Sequence, residues 1–396
     1  MISMRQARIL VWVGLVGAAA IGQEAAKLSA AEAKTVVQDF CIGDAKKKAA
    51  ARKRLEAVRA EDRKGIFAAF ETTKFKAPAA PPAKGRRVRG EIDLPESPLK
   101  KGKYIFILPS KYDPAKAWPL VFRFHGSGDD CEAFSKGWES LKVADDCVAV
   151  VPEIPSSTRA GWNEPGAIAL VDRVYKLALQ SFNIDTDRVY FTGHSAGSGA
   201  TFTLSGVWPE RVAGMYGSTR LHFAFHPEPK LSMEVIKSIP GFFAVGLKDT
   251  EERIKGYRDA EAFAKETKAP WVFHFLPSRG HEYFFELDKP AFELLLKQKR
   301  TRYSREYSTL FFSYSDGASN DFYKSQQWLR ATKFDAALST PCKVAVKDNV
   351  VTIDAPRLDA GSLLLNDELV KLDEPVVVLL DGKEVFRGVV ERDVKF

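Results

Sequence analysis

Between about residue 86 and residue 300, short apolar runs alternate with longer stretches of helical period. The runs Arg89–Leu94, Tyr104–Leu108, Pro119–Phe124, Val148–Val151, Val189–Thr192, Val212–Tyr216, Gly241–Gly246 and Trp271–Leu276 predict strands. Several are unbroken Val, Ile, Phe and Leu, the composition of strands covered on both faces. Helices are predicted at 132–145, 166–182, 196–206, 251–267 and 289–299. Alternating strand and helix implies an α/β fold with a mainly parallel sheet and crossover helices. Only turns separate the first strands, so these are expected to be antiparallel.

The pattern changes on either side. Residues 24–75 are rich in Ala, Lys, Arg and Glu and hold no proline, which predicts one or two helices. The stretch "KFKAPAAPPAKG", 74–85, cannot continue a helix and predicts a stiff linker. Beyond residue 300 the helical period fades into short β-rich runs. Asp381-Gly382 between two of them is a hairpin signal, and about 320–396 is expected to be a small β module. At the other end, Arg5 and Arg8 precede the apolar run Ile9–Ala20 and a small-residue stretch, the pattern of a secretory signal. That run is short for a bilayer span. The expected division is a signal peptide at 1–22, a basic helical segment at 23–75 and a linker at 76–87. A catalytic α/β domain at 88–300 follows, and 301–396 holds a linker and the β module. The expected location is secreted or periplasmic.

Charge and cysteines change this picture little. The chain of 396 residues carries a formal +8. Residues 44–64 alone hold nine Lys/Arg against four acids. No aromatic-studded basic groove accompanies them, so nucleic acid is not an expected partner; a solvated helix face accounts for the run. Cys131 and Cys147 bracket a predicted helix whose ends lie roughly 20 Å apart, too far for a bridge. No cysteine pair has metal-site spacing. His222 and His226 have a His-x-x-x-His spacing, but Pro227 and Pro229 follow, so no metal is expected.

The candidate chemistry lies in "RVYFTGHSAGSGATF", 188–202. Gly193-His194-Ser195-Ala196-Gly197 matches G-x-S-x-G, which chance alone supplies roughly 0.1 times in such a chain. Its context is more specific, because the motif follows a predicted strand and opens a predicted helix. A serine on such a turn is backbone-strained, and neighbours with side chains would collide with it. An elbow of this kind goes with the chain order Ser, acid, His. Only His274 and His281 follow any candidate acid. His274 lies inside the apolar run "WVFHFLP", and His281 lies just past it, so His281 is the expected general base. Asp249 ends "GFFAVGLKD" and is the expected acid; Asp259 falls inside a predicted helix. The loop His125-Gly126-Ser127-Gly128 follows the third strand. Its Gly126 and Ser127, with Ala196, are the expected oxyanion-hole positions, and His125 is expected to support the loop. Trp162, in "AGWNEPG", is a candidate for stacking on a substrate ring or for buried packing.

The segments "YIFILPSKYDPAKAWPLVFRFHGSG", "VAVVPE", "DRVYFTGHSAGS" and "PERVAGMYG" resemble the α/β-hydrolase superfamily. The similarity is to its polyhydroxybutyrate-depolymerase/feruloyl-esterase and dienelactone-hydrolase-like branch. It covers about 88–300. It implies an eight-stranded, mostly parallel sheet, a Ser195–Asp249–His281 triad and no cofactor. Where this branch often has a second glycine after Ala-Gly, Ser198 stands here. The tail from "WLRATKFD" onward looks like an accessory module of exported bacterial hydrolases and brings no site.

The expected activity is a serine esterase acting on small esters, or on polysaccharide or polyester substrates. A peptidase of the same fold and a non-catalytic binding or scaffold protein are the alternatives. An intact Ser, Asp, His order speaks against the last.

Overall fold

The computed structural model describes residues 28–42, 44–58, 65–66, 68–69, 86–95, 97, 99–139, 141–154, 161–221, 229–311, 325–334 and 340–390. The expected signal peptide, nearly all of the linker, and His222 and His226 lie outside the described residues.

Eight strands form the central sheet in the order β1-β2-β4-β3-β5-β6-β7-β8. They are β1 (Arg87–Asp93), β2 (Lys101–Ile107), β3 (Trp118–Phe124), β4 (Val148–Pro152), β5 (Ile184–His194), β6 (Gly214–Ser218), β7 (Gly241–Gly246) and β8 (Trp271–Leu276). β1–β2 and β2–β4 pair antiparallel, and every later pairing is parallel. β3, β4, β6 and β7 are buried throughout, as central strands covered on both faces are. The strand order reverses between β3 and β5, so the crevice at their carboxyl ends is where a ligand would meet both.

Helices cover both faces. On one lie α3 (Cys131–Glu139) and α8 (Phe285–Leu295), whose Trp138 and Phe292 pack with Val121, Tyr190 and Phe242. On the other lie α4 (Pro165–Ser181), α5 (Ala196–Val207), α6 (Pro229–Ile236) and α7 (Glu251–Thr267), packed on Phe122, Phe124, Phe191 and Phe243. α5 reads AGSGATFTLSGV and is buried along almost its whole length. Small side chains are what let it lie so close to the sheet. Before the sheet, α1 (Ala30–Ile42) and α2 (Ala45–Glu56) form a hairpin with its own core of Val36, Val37, Ala51 and Leu55. Among the described residues no helix is long and apolar enough to cross a membrane.

The β module begins with β9 (Glu306–Phe311), earlier than residue 320. β9 joins a five-stranded sheet with β12 (Thr340–Lys347), β13 (Val350–Asp354), β15 (Val376–Leu380) and β16 (Lys383–Gly388). A second sheet holds β10 (Ser325–Gln326), β11 (Leu329–Phe334) and β14 (Leu358–Leu363). Leu310 of β9 belongs to the main core, and Arg300 and Arg302 both bond Asp187 near the start of β5. Asp187 and Ser195 are separated by eight residues of extended chain, about 26 Å. The module is therefore fastened at the end of β5 away from Ser195.

Candidate active site

Ser195 stands between β5 and α5 with φ 54° and ψ −118°, a conformation costly for any residue with a side chain. Surrounding structure holds it there. Its N–H donates to the Ser218 carbonyl at 2.9 Å and to Thr219 Oγ1 at 3.1 Å, both at the end of neighbouring β6. A β-carbon on Gly193 would run into the Gly197 carbonyl, and one on Gly197 into the Phe124 carbonyl. The two glycines of the motif are thus required by close backbone approach, not by a positive φ.

His281 lies in the connection between β8 and α8. Ser195 Oγ is 2.8 Å from His281 Nε2, and His281 Nδ1 is 2.7 Å from Asp249 Oδ2. The carboxylate only accepts, so Nδ1 carries the proton and Nε2 is free to accept from Ser195. The structure therefore brings Ser195, His281 and Asp249 into one hydrogen-bond chain. Its exposure is graded: the His281 side chain is 32% exposed and that of Asp249 1%.

Asp249 has further partners. Its Oδ1 accepts from the Thr250 N–H at 2.7 Å and from Arg253 Nη1 at 2.7 Å. Burial alone would raise its carboxyl; the bonds from Arg253, His281 and Thr250 outweigh that and hold its pKa below the ordinary aspartate value. Arg253 Nη1 also lies 3.0 Å from His281 Nδ1. With Nδ1 protonated, donor faces donor there, so this is a cation beside the ring and not a hydrogen bond. Arg253 is one residue that sequence reasoning missed. Its i+4 spacing from Asp249 on a helix start was the available signal.

His194 is the second. Its ring centroid is 5.8 Å from that of His281, and its Nδ1 is 3.1 Å from Ser218 Oγ. Burial first, and then the His281 ring, push its pKa down to about 4. A neutral His194 leaves His281 without a neighbouring imidazolium when it takes up a proton.

The expected oxyanion positions border Ser195. Gly126 is buried, and a β-carbon added to it would lie 3.5 Å from Ser195 Cβ. Ser127 is exposed, and Gly128 closes the turn with φ 88°. Ala196 is the first residue of α5, so its N–H has no carbonyl within the helix to bond. His125 is buried and clamps the loop: its Nε2 accepts from the Ile154 N–H at 3.2 Å, which leaves Nδ1–H to donate to the Gly126 carbonyl at 2.9 Å.

Trp162 is a correction. It is 2% exposed, its ring packs 5.1 Å from Phe124 and 5.3 Å from His125, and its Nε1 donates to the His125 carbonyl at 3.0 Å. It braces the loop from beneath and offers no free face for stacking. His274 stacks on Phe242 at 4.5 Å within β8, away from the triad. A cavity of about 600 Å³ lined by Leu141, Val143, Asp288, Phe292 and Leu296 contains none of Ser195, Asp249 and His281.

No protein-family model matches the chain. It is 24% identical over 153 residues to feruloyl esterase D of Neurospora crassa, a match covering 35% of this chain and 53% of that one. It is 30% identical over 113 residues to poly(3-hydroxyalkanoate) depolymerase C of Paucimonas lemoignei, covering 26% and 27%. The chain thus spans about half or less of the curated relatives it matches. Among solved structures, a thermostable esterase superposes with a TM-score of 0.46 at 20% identity, covering 54% of this chain and 64% of that one. The strand order and the elbow after β5 are those of an α/β-hydrolase fold, and over part of its length the chain is similar in sequence to a feruloyl esterase and a polyhydroxyalkanoate depolymerase.

Proposed function

We propose that the protein is an exported serine hydrolase that cleaves carboxylic esters through an acyl-enzyme. The reading extends to feruloyl or acetyl esters of carbohydrates and to short polyesters. The observation that carries it is the chain from Ser195 Oγ through His281 to Asp249, at 2.8 and 2.7 Å, hung on a strained elbow. Relatives named feruloyl esterase and polyhydroxyalkanoate depolymerase support the ester as substrate. Export rests on the pattern at 1–22.

Ser195 Oγ attacks the acyl carbon while His281 Nε2 takes its proton. Asp249 holds the Nδ1–H tautomer and stabilises the imidazolium that forms. The Ala196 N–H and one from the Gly126–Ser127 loop meet the developing oxyanion, helped by the positive end of α5. His281 then returns the proton to the leaving alcohol. A water, deprotonated by His281 in turn, attacks the acyl-enzyme, and Ser195 regains its proton. No step calls for a cofactor.

A hydrolysis panel tests the reading. Acetyl, feruloyl and longer-chain aryl esters are compared with peptide anilides. Turnover of one or more esters far above the anilides is expected; turnover of anilides alone would overturn it.

A further inference from the structure

Arg123 is 4% exposed in the middle of the sheet, on a strand whose neighbours Phe122 and Phe124 are both apolar. Its guanidinium carbon lies 4.8 Å from the ring centres of both Phe134 and Trp138. Arg123 Nη2 donates to Tyr283 Oη at 2.7 Å, and Tyr283 Oη donates to Asp288, 2.9 Å from Oδ1 and 3.1 Å from Oδ2. Asp288 is 1% exposed. A buried guanidinium and a buried carboxyl are thus joined through the Tyr283 phenol, with the Tyr216 hydroxyl also beside Asp288. Taking both from water is expensive, and apolar residues of similar size fill such places without that penalty. The position of the three residues suggests what they do instead.

Arg123 is two residues before His125 and three before Gly126, at the root of the oxyanion loop. Tyr283 is two residues after His281. The His281 connection is also held at its other end: the Lys248 N–H donates to the Arg279 carbonyl at 2.8 Å, and Gly246 approaches Gly280 too closely for any side chain. One fastening ties the base to the turn of its acid. The other ties it to the oxyanion strand. The Tyr283 ring itself packs on His194 at 5.4 Å and on Phe134 at 6.1 Å.

We propose that Arg123, Tyr283 and Asp288 form a positioning relay that fixes His281 relative to the oxyanion loop. The inference rests on the serine-hydrolase reading above. None of the three bonds Ser195, His281 or Asp249; they set the distance between the group that moves the proton and the groups that meet the oxyanion. A misplacement of about 1 Å in such a constellation can lower turnover on the order of 100-fold.

The test compares wild type, Tyr283→Phe, and a triple variant carrying Arg123→Met, Tyr283→Phe and Asp288→Leu. Each is assayed for kcat and KM on an aryl acetate, for labelling rate by a fluorophosphonate, and for Tm. Tyr283→Phe keeps the ring but removes the hydroxyl that joins Arg123 to Asp288, so Tm and kcat are both expected to fall. The triple variant removes both ionisable ends and the Tyr283 hydroxyl and leaves only the neutral Tyr216 hydroxyl beside them, so its Tm is expected to recover part of the way towards wild type. Its kcat and labelling rate are expected to stay about 10- to 100-fold down with KM little changed. Recovery of kcat together with Tm would make the cluster merely structural and overturn the proposal. If the triple variant does not fold, Tyr283→Phe decides: wild-type kcat, or a change confined to KM, overturns it. A wild-type protein that neither labels nor turns over ester sinks the serine-hydrolase reading itself and this proposal with it; an active wild type with equally active variants sinks only the relay.

Discussion

A β-carbon on Gly197 would occupy the space already taken by the backbone carbonyl of Phe124. The helix that follows Ser195 is thereby seated directly on the strand that leads into the oxyanion loop. Gly197→Ala and Gly193→Ala must each push backbone apart, since both collisions are with main-chain atoms. Each is expected to abolish esterase activity and lower stability by more than about 3 kcal/mol. Gly256→Ala is the control. It lies in α7 with open space where its β-carbon would go, and is expected to gain about 0.5–1 kcal/mol with activity unchanged. Urea unfolding and ester turnover of the three variants check this.

Asp249→Asn keeps the shape of the acid but removes its demand for an Nδ1–H on His281. The amide can present its N–H to the ring and stabilise the wrong tautomer. In a protease triad the same exchange lowers kcat about 10⁴-fold. A kcat loss on the order of 10³–10⁴ with KM little changed is expected here, read by steady-state hydrolysis at neutral pH. A loss below tenfold would move the acid's role elsewhere.

His194 gives the protein a pH-dependent stability. Its folded pKa is depressed to about 4 from the ordinary 6.5, so the unfolded chain takes up a proton at a higher pH than the folded one. Between those values the unfolded state binds more protons, and stability falls as pH drops through the window. The contribution is at most on the order of 3 kcal/mol. Urea midpoints at pH 7, 6, 5 and 4 are expected to fall more steeply for wild type than for His194→Gln. Parallel curves would show that the ring titrates alike in both states.

Trp162 separates bracing from substrate stacking. Trp162→Phe loses the bond from Nε1 to the His125 carbonyl and leaves that buried acceptor unpaired. A stability loss of about 1–3 kcal/mol is expected. KM for a feruloyl ester should change less than threefold; a larger rise with Tm unchanged would restore the stacking role.

Much of the sheet was legible because its strands are largely apolar runs: β7 and β8 have the bounds the sequence predicts, Gly241–Gly246 and Trp271–Leu276. α7 was equally plain, with Glu251 and Glu252 opening it after Thr250. Other elements depend on tertiary context. β5 starts at Ile184, five residues before its apolar run, because polar Asp185–Arg188 is drawn in alongside the pairing of Ile184 with Trp118. α8 starts at Phe285 and carries Pro290 inside, where the sequence put that proline near a helix start. α6 is eight residues long and opens on Pro229, too short to show a period. In the site, Ser195, Asp249 and His281 could be picked out because elbow and chain order constrain them. Arg123 and Tyr283 could not, since 160 residues separate them and nothing local in either announces the other.

The central claim is that Ser195 is a nucleophile activated by His281, and fluorophosphonate labelling tests it most directly. Wild type, Ser195→Ala and His281→Ala are treated with the probe at neutral pH and the modified residue is located by mass spectrometry. Stoichiometric labelling of wild type at Ser195, none of Ser195→Ala, and labelling of His281→Ala slowed by 10³-fold or more are expected. An unlabelled wild type, or Ser195→Ala labelled as fast as wild type, would contradict it.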